Sequence, residues 1–215
     1  MDTLGKGIYT IPEACRYLGA HQAKIYRWFK DNNIFHSDYN TIAGQRAISF
    51  LDLIDAKIAL MFRDEDVPMA EVRKAYQALT KETNRRHPFA YEDLYFNGGK
   101  IFRRELRPGE TPFLYRVATK EGYFDQVMQP FLRQLDFNEE NQQAERWRIA
   151  QDIILDPNHR AGAPIIVQTN IPAETIAQCY RAYNGDVAAV ADLYDLNESQ
   201  VRNAVTFCQS IGLAA

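Results

Sequence analysis

The 215-residue chain holds only three cysteines, Cys15, Cys179 and Cys208, far apart and in no C-x-x-C spacing. An odd, scattered set of this kind excludes a disulfide framework or a structural zinc site, and each thiol reads as a small buried hydrophobe. No apolar run approaches the ~20 residues a membrane-spanning helix needs. The start, Met-Asp-Thr-Leu-Gly-Lys-Gly, lacks a basic stretch followed by an apolar one. A cytoplasmic location with no membrane partner is the expectation. His21, His36, His87 and His159 are dispersed, without Cys, Asp or Glu at ligand spacing, so no metal is expected. A Gly-rich phosphate loop is also missing, since Asn97-Gly98-Gly99-Lys100 is followed by neither Ser/Thr nor a helix pattern and reads as a turn. Acidic pairs such as Glu139-Glu140 sit in a polar stretch with no partner base. Neither an enzyme nor a cofactor is expected.

Large net charge is lacking too, the formal value being -3 at pH 7. The distribution is uneven, however. Residues 1–90 carry 13 Lys and Arg against 11 Asp and Glu, residues 91–160 carry 10 against 12, and residues 161–215 carry 2 against 5. Only the N-terminal part leans positive, and for contact with phosphates local clustering counts more than the sum. The acidic C-terminal part suits either a basic partner surface or plain solvation.

What the chain does have is a set of helix punctuation marks. Thr10-Ile11-Pro12-Glu13 has the form of a capping box with Pro in the first turn, and Ile11, Ala14, Cys15 and Leu18 repeat at helical spacing up to Gly19. A second helix runs from about His21 to Phe29, with Ile25, Trp28 and Phe29 inward and Gln22, Lys24, Arg27 and Lys30 mainly on other faces. The pair makes a helix-turn-helix. Ile34-Phe35-His36 can extend, Asn40 to Gly44 is turn-rich and Arg46-Ala47-Ile48 extends again, which together make a wing. Ser49 caps a strongly apolar helix, and another begins near Pro68 and ends before Asn84-Arg85-Arg86-His87-Pro88, since Pro88 disfavours helix at His87. In the middle, Leu94–Phe96 and Ile101–Arg103 flank a hairpin turn, Leu114 to Val117 reads as a strand, Tyr123 to Leu135 is helical around Pro130, and Arg146–Ile149 and Ile153–Leu155 read as short strands. Three helices close the chain: one from Pro172, one over Val187 to Tyr194, and one announced by the capping box Asn197-Glu198-Ser199-Gln200.

The expected fold class is mainly α with a minor β component, in three parts. These are a winged helix-turn-helix over residues 1–87, a mixed α/β connecting and dimerisation region over 88–160, and a three-helix unit over 161–215. In the first part Gln22, Lys24, Tyr26 and Arg27 would face a major groove and its phosphates. Gln22 or Arg27 would read base edges, and Lys24 and Lys30 would contact phosphates. Arg46 suits a wing-to-phosphate contact or an ordinary hairpin charge. Arg85-Arg86-His87 reads as a solvated break between elements. The last two helices repeat helix-turn-helix proportions, but the final one offers only Arg202 as a cation.

Two stretches resemble known families. Tyr9 to Ala14 through Trp28, with Gly44-Gln45-Arg46-Ala47-Ile48-Ser49 and Asp52-Leu53, resembles the N-terminus of MerR-type winged regulators, with Ile48 in place of the usual aromatic residue. Gly162-Ala163-Pro164-Ile165-Ile166-Val167-Gln168-Thr169-Asn170-Ile171-Pro172, with Leu196 to Val201, resembles a small antitoxin family typified by G-x-P-x-I-x-G-T-R-I-P and L-x-x-x-Q-V. Here Gln168 and Asn170 replace the family's Gly and Arg. The order of the parts looks like that of long VapB-like antitoxins that carry their own DNA-binding head. The resemblance implies a homodimeric type II antitoxin whose tail neutralises a PIN-like ribonuclease toxin and whose head represses the operon by binding operator DNA. A stand-alone MerR-like regulator whose C-terminal unit dimerises or senses a ligand, and a protein-protein adaptor without DNA binding, are the alternatives.

Overall fold

The computed structural model describes residues 5–30, 34–39, 41–42, 44–92 and 130–213. The expected hairpin around Asn97–Lys100, the strand at Leu114–Val117 and most of the Tyr123–Leu135 helix fall outside them. The protein is mainly α with a minor β component, as the sequence indicates.

The head is assembled as its punctuation marks dictate. Thr10 and Glu13 satisfy each other's backbone N–H groups at the start of α1 (Ile11–Leu18), and Gly19 ends it with φ 63°. A side chain at that φ is disfavoured, so glycine sets the tight turn into α2 (Gln22–Phe29). Ile25, Trp28 and Phe29 are buried, and each large apolar side chain removed from water contributes about 1.5–3 kcal/mol. Ser49 caps α3 (Phe50–Asp64) through a second capping box with Asp52. Helix α4 (Met69–Thr83) packs Val72, Ala75, Tyr76 and Leu79 inward and stops at Asn84 in the left-handed conformation.

One local expectation is corrected. The wing strand β2 (Ala47–Ile48) pairs antiparallel with β1 (Tyr9–Thr10), not with Ile34–His36, which form no strand. Ile34 and Phe35 are instead buried, with the Phe35 ring 4.9 Å from that of Tyr76 and 5.4 Å from that of Phe29. Their apolar surface is worth more inside the core than along a two-residue ladder.

A four-stranded antiparallel sheet follows, in the order β3 (Leu135–Phe137), β4 (Ala144–Ala150), β5 (Ile153–Leu155) and β6 (Pro164–Ile166). It runs across residue 160, so the middle segment and the tail share one sheet. Leu135, Trp147 and Leu155 belong to the head's core, whereas Ile153 and Ile166 belong to a second core formed with α5 (Ala173–Ala182), α6 (Val187–Tyr194) and α7 (Glu198–Ser210).

Head and tail meet directly. Ile8 N donates to Ala161 O at 2.8 Å, and the buried Tyr9 hydroxyl donates to Gly162 O at 3.0 Å. A Cβ on Gly162 would lie 2.2 Å from that hydroxyl, which gives the first glycine of the 162–172 motif a steric reason. Tyr17, edge-on to Tyr9 at 5.9 Å, packs against both cores.

Candidate nucleic-acid interface

Helix α2 is eight residues long, about 12 Å at 1.5 Å per residue, and an α-helix with its side chains, about 10–12 Å across, is of a size that a ~12 Å wide major groove admits. With its apolar stripe facing inward, it presents Gln22, Ala23, Tyr26, Arg27 and Lys30 to solvent, while Lys24 is half-buried. Tyr26 is 41% exposed, a large ring that no core contact explains. From Gln22 to Lys30 the sequence carries three cations and no carboxylate.

The wing closes against one side of this helix. Ile42 and Gln45 exchange backbone hydrogen bonds of 2.8 and 2.9 Å around Gly44, which adopts φ 77°. Arg46 then reaches back: its Nη1 donates to Phe29 O at 2.8 Å and its guanidinium lies 5.6 Å from the centre of the Tyr26 ring. A cation on a C-terminal carbonyl of a helix satisfies an otherwise open acceptor and opposes the negative end of the dipole. Arg46 thus fastens wing to helix and aligns Tyr26. Arg27 is similarly drawn along its own helix, with Nε donating to Ala23 O at 3.2 Å. Between wing and helix lies a groove of about 450 Å³, lined by Ile11, Pro12, Gln22, Ala23, Tyr26, Gln45 and Arg46. All six residues read from the sequence as the DNA surface, Gln22, Lys24, Tyr26, Arg27, Lys30 and Arg46, therefore lie on α2, at its C-terminal end, or on the wing beside it.

The sequence reading missed what lies beneath the wing. Arg85-Arg86-His87 is not a solvated break, because His87 is 4% exposed. Its Nδ1 is 2.9 Å from Asp55 Oδ2 and 3.7 Å from Asp52 Oδ1, and its Nε2 is 3.2 Å from Asp38 Oδ2. Asp52 Oδ2 accepts from Ser37 Oγ, Asp38 N and Ser49 N at 2.9–3.1 Å. Arg86 donates to Ser37 O at 2.7 Å and pairs with Asp38 at 3.3 Å. The Tyr76 hydroxyl shares its one proton between Asp55 Oδ2 and Arg86 O, 2.9 and 2.6 Å away.

Burial alone would lower the His87 pKa, but hydrogen bonds to Asp38 and Asp55 and the charges of Asp55 and Asp52 push it up to about 10. The imidazolium is the charge that lets three carboxylates share one interior. Burial raises Asp55 to about 6 against its bond to His87. Burial pushes Asp38 up, but its pairing with His87, the bond from Ser49 and the charge of Arg86 together outweigh that and hold it near 2. The cluster ties the base of the wing (Ser37, Asp38) to α3 (Asp52, Asp55), to α4 (Tyr76) and to the turn leaving the head (Arg86, His87). Acidic residues three apart on an apolar helix, Asp52 and Asp55, were the available signal: inward-facing carboxylates need a buried partner. Among the described residues no group of three or more His, Cys, Asp or Glu could hold a metal ion.

In the tail, Gln168, at the position where the antitoxin pattern has Gly, adopts the left-handed conformation with φ 62°. At the other departure, Asn170 is exposed and its carbonyl accepts from Arg160 Nε at 3.3 Å.

Residues 153–208 match the model of a family described as "Protein of unknown function (DUF433)". That span contains the 162–172 motif, α5, α6 and α7 as far as Cys208. No curated protein matches the chain. The chain is similar to the X-ray crystal structure of Rv2018 from Mycobacterium tuberculosis, at 25% identity and a TM-score of 0.77 over 92% of this chain and 96% of that one. The likeness spans head, sheet and tail together. Among the described residues no helix is long and apolar enough to cross a membrane.

Proposed function

We propose that this protein is a DNA-binding antitoxin that represses its own operon. The observation that carries the DNA half is the single exposed surface of α2 and wing, cationic, free of carboxylates from Gln22 to Lys30 and locked together by Arg46. A helix of this length backed by a wing is the docking element of winged helix-turn-helix readers. Two heads of a homodimer would enter successive major grooves of a near-palindromic operator. The antitoxin half rests on the resemblance of the 162–172 motif, with Leu196 to Val201, to the antitoxin pattern. In that role the tail covers the active site or substrate groove of a PIN-like ribonuclease. Toxin binding would then change how strongly the heads hold DNA through linked equilibria.

The test has two arms. Full-length protein, titrated into labelled DNA from upstream of its own reading frame with nonspecific competitor present, binds specifically. Co-expressed with the product of the adjacent reading frame, it purifies as a tight complex and suppresses that product's ribonuclease activity. Specific DNA binding without a complex leaves a stand-alone regulator, and a complex without DNA binding leaves an adaptor.

A further inference from the structure

The groove between α2 and wing has a chemistry that selects among base pairs. Its lining is mainly apolar, from Ile11, Pro12, Ala23 and the ring of Tyr26, and it carries two amides, Gln22 of the helix and Gln45 of the wing. Both glutamines are exposed. The two arginines near it are already engaged on carbonyls, Arg46 on Phe29 O and Arg27 on Ala23 O.

In the major groove a G·C pair shows two adjacent acceptors, O6 and N7 of guanine, and is read best by a free bidentate cation. An A·T pair shows a neighbouring acceptor and donor, N7 and N6–H₂ of adenine, with the thymine methyl beside them. One carboxamide satisfies the adenine edge, and an apolar lining takes the methyl. We infer that the head reads A·T pairs, with Gln22 as the specificity-determining side chain and Ala23 and Tyr26 receiving thymine methyls, while Lys24 and Lys30 hold phosphates. Arg27, drawn back along the helix, joins the phosphate contacts and does not read guanine. Gln45, on the wing, restricts how deeply the duplex enters.

This rests on the DNA-binding reading above and sharpens it to a base-pair class. The experiment is selection of full-length protein on random-sequence duplexes at fixed salt, followed by competition assays with the selected site. The expected result is enrichment of A·T at one or two positions in each half-site. Gln22→Ala would then lower the preference for A over G at one of them by about 5- to 150-fold, the span of one bidentate contact. Gln22→Arg would move the preference at that same position to G. An exposed side chain at the start of a helix tolerates either change, so loss of folding does not mimic these outcomes. Guanine at the helix-contacted positions of the parent's selected site, or a Gln22→Arg variant that still selects the parent's bases, overturns the inference and leaves the head a DNA reader. Failure to enrich any sequence overturns both.

Discussion

The head opens and the tail closes on two helices set for a helix-turn-helix, and the two regions differ most in where charge lies. In the head, α2 and its C-cap carry the exposed Arg27 and Lys30, the half-buried Lys24 and no acid, while the interior beneath holds Asp52, Asp55 and His87 at 4% exposure or less. In the tail, the only cation of α7 is Arg202, and it is paired with Glu198 at 2.6 Å on the same helix. Past Asp156 no described polar or charged side chain is buried. The tail core is apolar throughout, with Ile176, Val190, Val201, Ala204 and Cys208 wholly covered. The two helix pairs therefore carry different surfaces, and the DNA-binding proposal rests on the electrostatics of the face more than on the fold.

The comparison breaks first at the buried charges. Replacing His87 by Ala leaves Asp52 and Asp55 without their buried cation and Asp38 with Arg86 alone, and removing one partner of a buried charge set costs about 3–5 kcal/mol. Chemical denaturation of His87→Ala should show that loss, and hydrogen exchange should assign it to α3 and α4 while α5 and α7 keep their protection. Equal loss of protection in both cores would show that head and tail unfold as one unit.

A pH series gives the next largest effect. His87 has a folded-state pKa near 10 against an ordinary 6.5, so the stability it contributes is complete below about pH 6.5 and is lost as pH rises through 10. Asp38 acts in the opposite window: held near 2, it contributes above its ordinary 3.8 and the contribution is lost as pH falls toward 2. Asp55, raised to about 6, subtracts from stability as it ionises between about pH 4 and 6. The thermal midpoint of the head should fall between pH 7 and 10, and His87→Ala should abolish that slope. A parent protein whose head stability is flat to pH 10 would contradict a charged His87.

The smallest effects test where the two regions are alike. Thr10→Ala and Asn197→Ala each remove the side chain of a capping box, and each should cost about 1 kcal/mol in denaturant titrations. A cost several times larger in one unit would point to a second role for that residue, in the β1–β2 ladder or at a partner surface.

Much of this was legible in the sequence, and the boundary of legibility is physical. Helix starts at Thr10, Ser49 and Asn197 were readable because capping is local chemistry, complete within four residues. The inward stripe Ile25, Trp28 and Phe29 followed from period, and the exposed face of α2 followed from the stripe. The His87 cluster was not readable, because Asp38, Asp52, Asp55 and His87 meet only after three elements have packed. The partner of β2 was missed for the same reason: pairing with Tyr9–Thr10 crosses the whole helix-turn-helix, whereas the nearer Ile34–His36 segment offered an easier hairpin. The tie from Arg46 to Phe29 O also needs the wing folded onto α2. The close approach of Gly162 to the Tyr9 hydroxyl links residues 153 positions apart, and the motif alone could not announce it.

The central claim is that α2, and not α7, is the surface that meets DNA. The direct measurement is fluorescence anisotropy of full-length protein on its upstream DNA across a salt titration, comparing the parent with Lys24→Ala/Lys30→Ala and with Arg202→Ala. Each lost phosphate contact flattens the slope of log K against log salt by about 0.9. The account predicts a slope flatter by about 2 and weaker binding for the double lysine variant, with Arg202→Ala indistinguishable from the parent. An unchanged slope for the lysine variant, or a flattened one for Arg202→Ala, would contradict it.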